Sequence, residues 1–109
     1  MFNCAVPYED CIYLTSITGY SLYKFDPEGA PPSITFVGKF QEETQNICVV
    51  GDVIYNFSSD HFDYRSTIET YDIKAGKFQS IWEKNTDEIE FAPYGSSGCF
   101  PVVLFPDDL

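Results

Sequence analysis

At 109 residues, 44% hydrophobic and 17% aromatic, the chain holds enough apolar material for one folded unit and too much for intrinsic disorder. Its net charge of −11, from six Lys plus Arg against 17 Asp plus Glu, repels phosphate backbones and anionic lipid at long range and excludes a nucleic-acid partner. The carboxylates are scattered, so they read as solubilising charge.

In chain order, residues 3–17 are expected to form a hairpin turning at Pro7-Tyr8-Glu9-Asp10. Thr18-Gly19-Tyr20 is a short loop into a strand that ends at Asp26. Pro27, Pro31 and Pro32 keep the next connection free of helix and of regular ladder, because proline lacks a donor and restricts the residue before it. Residues 33–40 are then an outer strand, and the polar residues 41–46 a connection too short to be a stable helix by itself.

The second unit opens with the apolar run 47–50, the hairpin signal Gly51-Asp52, and a β-branched and aromatic strand over 53–57. Residues 58–66 are a polar loop, 67–73 a strand, 74–77 a turn through Ala75-Gly76, and 78–82 a last strand ending in Trp82. Residues 83–97 form an acidic loop, and 98–105 open a third segment that stops before a second strand can follow. Pro101 within it argues against a central strand or marks a bulge.

The two units repeat one another. Asp10-Cys11-Ile12-Tyr13 matches Asp52-Val53-Ile54-Tyr55, and Leu22-Tyr23-Lys24-Phe25-Asp26 matches Ile68-Glu69-Thr70-Tyr71-Asp72. Phe36 lies ten residues after Asp26 and Trp82 ten after Asp72, so the two are expected to be equivalent outer-strand aromatics. Cys4 and Cys48 are expected to correspond as strand openers. A period of 42 to 46 residues with four short strands points to a propeller blade.

These residues resemble kelch repeats, whose unit has an Ile-Tyr strand running into a glycine pair, a Tyr-Asp-Pro strand and turn, and an aromatic about ten residues beyond the Asp. VVGDVIYNF, IETYDIKAGKF and Trp82 stand for these in one copy, and CIYLTS, LYKFDPEG and Phe36 in the other. The glycine pair is replaced by Ser58-Ser59 and Ser16-Ile17. The expected fold is therefore all-β: two four-stranded antiparallel kelch-type blades, repeats 3–40 and 46–83, plus a closing strand 98–105. Because a closed propeller needs at least four blades, residues 1–109 are expected to be the carboxy-terminal piece of a larger propeller, with an oligomer of two-blade chains as the alternative.

Catalysis finds little support. His61 is the only histidine and sits in the polar run SSDHFDYRS, no serine lies in a strained turn motif, and no glycine-rich phosphate loop is present. Asp60 with Asp63, and Asp87 with Glu88, read as solvated loop charges. The cysteines lack the spacing of a zinc site. No enzyme activity, metal or cofactor is expected, and the four cysteines are expected to be free thiols in a cytoplasmic protein. The amino terminus has neither the basic region nor the apolar core of a signal peptide, and no run has the length of a membrane span, so no membrane association is expected.

Binding has a location, because propeller loops crowd onto one face of a rigid scaffold. Phe62 and Tyr64 are candidate anchors, with Asp60, His61, Asp63 and Arg65 as polar partners and Tyr20 and Tyr94 as further loop-face residues. What the resemblance implies is the substrate-recognition module of a BTB-kelch adaptor: a protein substrate on the loop face, remaining blades of the same protein, and a cullin ubiquitin ligase reached through a BTB domain. A structural or actin-associated kelch protein, or a kelch-like enzyme, are the other readings.

Overall fold

A computed structural model describes residues 2–16, 20–44, 46–60 and 65–85, and these form two four-stranded antiparallel sheets with no helix among the described residues. The first sheet takes β1 (Phe2–Tyr8), β2 (Cys11–Ser16), β3 (Ser21–Asp26) and β4 (Ser33–Lys39) in chain order. The second takes β5 (Asn46–Val50), β6 (Val53–Asp60), β7 (Arg65–Asp72) and β8 (Lys77–Asn85) in the same order. The chain is thus all-β, two meanders in tandem. The expected closing strand 98–105 lies outside the described residues.

Strand pairing repeats from one sheet to the other. Ile12 pairs with Phe25 as Ile54 pairs with Tyr71, and Thr15 pairs with Leu22 as Phe57 pairs with Ile68. Even the irregularity recurs: the last strand skips one residue opposite Leu22/Tyr23 in the first sheet and opposite Ile68/Glu69 in the second. Both β3 and β7 end in an aspartate that caps the following turn. Asp26 Oδ1 accepts from the Glu28 amide at 3.0 Å, and Asp72 Oδ1 accepts from the Lys74 and Ala75 amides at 3.1 and 3.0 Å. An aspartate recurs there because its short carboxylate reaches the amides two residues on.

Two expected equivalences fail on register. The turn after Asp26 is longer, since Asp26 pairs with Ser33 while Asp72 pairs with Lys77. Counting ten residues forward therefore lands on different rungs: Leu22 faces Gly38 where Ile68 faces Trp82, and Phe36 faces Tyr23 where Ser80 faces Glu69. Trp82 is the counterpart of Gly38, and Phe36 of Ser80. Likewise Cys4 pairs with Thr15 as Asn46 pairs with Phe57, so Cys4 corresponds to Asn46 and Cys48 to Val6.

Between the sheets, only β1 and β5 bring their backbones together among the described residues. The sheets fan apart from there, and side chains fill the wedge. Cys4, Val6, Tyr13 and Leu22 of the first sheet and Phe40 just after it pack on Ile47, Ile54 and Tyr71 of the second. The rings of Tyr13 and Tyr71 stand 6.4 Å apart, and those of Phe40 and Phe78 5.2 Å apart. Gly38 is required here: a Cβ on it would sit 2.5 Å from the Phe78 ring.

Strand alternation fixes which faces meet. The first sheet offers Tyr13, Thr15 and Leu22 to the second, whose counterparts Tyr55, Phe57 and Ile68 point away from the first. The sheets therefore stack head to tail, each with the same polarity, as successive blades do. The apolar rows Ile12, Phe25, Ile34 and Leu14, Tyr23, Phe36 line the outer face of the first sheet.

The thiol expectation is corrected. Cys11 and Cys48 are free, whereas Cys4, buried in the wedge, is disulfide-bonded to a partner outside the described residues.

Candidate functional site

Antiparallel topology sorts the connections onto two ends. The turns 9–10, 27–32, 51–52 and 73–76 gather at one end, and at the other β2, β4, β6 and β8 finish and β3, β5 and β7 begin. The second is the loop face expected from the sequence.

The loop face is more ordered than the polar sequence implies. β6 runs to Asp60 and β7 starts at Arg65, the two forming the last rung of the ladder, so residues 58–60 and 65–66 of the expected nine-residue loop are strand. Arg65 is not an open recognition residue. Its guanidinium is salt-bridged to Glu42 in the connection between the sheets and lies 3.9 Å from Glu83 on β8. Tyr20 is 42% exposed at this end and free to meet a partner. His61, Phe62, Asp63, Tyr64 and Tyr94 lie outside the described residues, as does the side chain of Asp60.

Beneath Arg65 sits a residue that the sequence reading passed over. Glu69 is 4% exposed in the middle of β7, and its carboxylate accepts from two backbone amides of the sheet-to-sheet connection: Gln41 N–H at 2.8 Å and Glu42 N–H at 2.9 Å. The Asn56 amide nitrogen, also buried, donates toward the same carboxylate at 3.5 Å and to the Glu42 carbonyl at 3.4 Å. A buried carboxylate is tolerable because these donors replace its water. Its burial leaves no mark in residue type, because the donors that satisfy it are main-chain amides. Together Glu69, Asn56 and Arg65 clamp residues 41–42, so the loop face rests on a fixed base.

At the turn end a groove of about 370 Å³ opens between the sheets, lined by Tyr8, Glu9, Cys11, Lys24, Asp26 and Lys74 among others. The Tyr8 hydroxyl donates to Asp52 Oδ1 at 2.5 Å, joining the two hairpin turns, and this bond to a carboxylate pushes the phenol pKa up. Burial pushes Tyr13 up to about 12. Burial also raises the Cys11 thiol, against a smaller opposing pull from Lys24, and its Sγ donates to the Tyr8 carbonyl at 3.2 Å. A thiol held in its neutral form is a poor nucleophile, so the groove is a polar recess of mixed charge. Among the described residues no group of three or more His, Cys, Asp or Glu could hold a metal ion.

In comparisons with known proteins, no family model, no curated protein and no solved structure matches the chain.

Proposed function

We propose that the chain is a protein-binding module, a pair of kelch-type blades from a larger propeller that serves as substrate adaptor of a cullin-RING ubiquitin ligase. The observation that carries this reading is the head-to-tail stacking of two meanders with matching register and a matching bulge. Such stacking builds a rigid scaffold that presents its loops at one end, where recognition can vary without disturbing the core. On the loop face, exposed Tyr20 stands at the end of the molecule whose base is held by Glu69 and Arg65, which suits anchoring by an aromatic side chain.

The test uses the product of the longer reading frame. It is expected to carry a BTB domain upstream and to bring down a cullin when purified, and Tyr20→Ala is expected to weaken recovery of the substrate protein while leaving the cullin bound. A longer product with no BTB domain and no cullin association overturns the adaptor reading.

No helix among the described residues is long and apolar enough to cross a membrane. The cytoplasmic setting belongs to the proposal and meets a counterweight in the Cys4 disulfide, since such bonds persist mainly in oxidising compartments. Thiol counting under denaturing, non-reducing conditions decides: four free thiols support the reduced setting, and two oppose it.

A further inference from the structure

The groove at the turn end lies opposite the loop face and takes its walls from both sheets, and its volume of about 370 Å³ falls within the roughly 300–1,000 Å³ of small-molecule sites. Three of its side-chain donors have no partner among the described residues. Lys24 comes from β3 and Lys74 from the turn after β7, and neither ammonium is ion-paired, although Glu9, Asp10 and Asp26 line the same recess. The third is the Tyr13 hydroxyl. Tyr13 is 4% exposed and pairs with Lys24 across β2 and β3, so both side chains stand on the face turned to the second sheet, and the phenol makes no hydrogen bond there. Burial pushes its pKa up to about 12, so near neutral pH it is a donor turned to the recess with nothing to receive its proton. The neighbouring groups are committed: the Tyr8 hydroxyl to Asp52, and Asp26 Oδ1 to the Glu28 amide.

We infer that this groove binds a zwitterion of dipeptide size, its carboxylate held between Lys24 and Lys74 and accepting from the Tyr13 hydroxyl, and its ammonium held by Glu9 and Asp10 of the first hairpin turn. Charge decides against simpler ligands. A plain anion is repelled by a chain of net charge −11 and by the carboxylates lining the recess, while a plain cation meets two ammoniums that no carboxylate offsets. A zwitterion has no net charge to be repelled, and it answers both signs in one site. Ile73 and the Tyr8 ring give its aliphatic body an apolar wall. Both lysines are exposed, so water and salt weaken their pull, which places the dissociation constant at about millimolar.

This inference does not rest on the adaptor reading, which concerns the opposite end of the molecule. Alanylalanine titrated into the chain is expected to shift the amide resonances of Tyr13, Lys24 and Lys74, saturating at about millimolar concentration. N-acetyl-alanylalanine, which lacks the ammonium, and alanylalanine amide, which lacks the carboxylate, are each expected to bind at least about tenfold more weakly. Lys24→Met combined with Lys74→Met should weaken binding at least about fivefold, and Tyr13→Phe at least about threefold. Lys39→Met, at the loop end of β4, should leave it unchanged. The lysines are exposed and the Tyr13 hydroxyl holds nothing in the fold, so the variants keep their structure, which the dispersion of the amide spectrum checks. No saturable shift up to about 50 mM alanylalanine overturns the inference. So does equal binding of either blocked form, which would make the groove a site for one sign of charge, or binding indifferent to the lysine and tyrosine substitutions. None of these results bears on cullin association of the longer product, which tests the adaptor reading separately.

Discussion

The first sheet is buried on one face and the second at the centre of both, although the two share strand order, register and bulge position. On the outer face of the first, Phe36 is 54% exposed; on the far face of the second, Phe57 is 0% exposed. Local pattern makes a strand and its partner, but it does not decide whether a face is covered, because coverage depends on what the rest of the polypeptide places there. A head-to-tail stack makes this explicit: every sheet has one receiving face and one donating face, and only the contact between neighbours uses both.

The largest effect should come from cutting into the covered face. Phe57→Ala is expected to cost about 3 to 5 kcal/mol, whereas Phe36→Ala on the open face should stay within about 0.5 kcal/mol at concentrations where the chain is monomeric. Urea midpoints of the two variants measure the contrast. Equal losses would mean that the first sheet's outer face is covered in solution even in the monomer, and the distinction between the sheets would fall.

How much of this could be read beforehand depends on the kind of feature. All eight described strands and the tandem meander were legible, because hairpin signals at Gly51-Asp52 and the capping aspartates Asp26 and Asp72 are local. Register was not. The turn containing Gly29, Ala30, Pro31 and Pro32 is longer than its counterpart at Lys74, Ala75 and Gly76, and that difference displaced Phe36 from Trp82. The candidate site was legible only as an end of the molecule. Arg65 read as a loop cation because its partner Glu42 is 23 residues away in sequence. Glu69 read as one more surface carboxylate because its donors are main-chain amides, which leave no trace in residue type.

Glu69 and Tyr23 occupy equivalent rungs, yet one clamps a connection and the other lies on the open face. Glu69→Gln replaces an acceptor pair by one acceptor and an NH₂ group facing a backbone N–H, and should cost about 1 to 3 kcal/mol. Hydrogen exchange should show the Gln41 and Glu42 amides losing protection while the β2–β3 amides keep theirs. If those two amides stay protected, the connection is held by something other than this carboxylate.

The sheets should also differ in alkali. Tyr8 and Tyr13, both in the first sheet, have folded pKa values raised above the ordinary 10.0, Tyr8 by its hydrogen bond to Asp52 and Tyr13 by burial. A raised folded pKa stabilises the fold fully below the unfolded value and is lost as pH rises through the folded one. Stability should therefore hold up to near pH 10 and fall toward about 12, where Tyr13 ionises in the fold. Tyr13→Phe, and separately Tyr8→Phe, should flatten that fall, read from denaturation midpoints across the range. A profile unchanged in both variants would place the alkaline loss elsewhere.

The smallest effect tests the repeat at its tightest point. Glu9 and Gly51 hold the same place in their two-residue hairpin turns, and both have positive φ, 49° and 61°. A residue with a Cβ costs roughly 1 to 2 kcal/mol in this left-handed region, while glycine costs about 0.5 to 1 kcal/mol more chain entropy on folding. Glu9→Gly should therefore gain a net stabilisation of under about 1 kcal/mol, and Gly51→Ala should lose about 1 kcal/mol. Nothing lies within 4 Å of a Cβ built at Gly51, so its loss would report backbone conformation alone. Opposite signs for the two substitutions, measured by chemical denaturation, would establish that one turn geometry is shared by both copies and that the first pays a strain the second avoids. A destabilised Glu9→Gly would show instead that the Glu9 side chain contributes to the groove beside Tyr8, and the two turns would no longer be equivalent in energy.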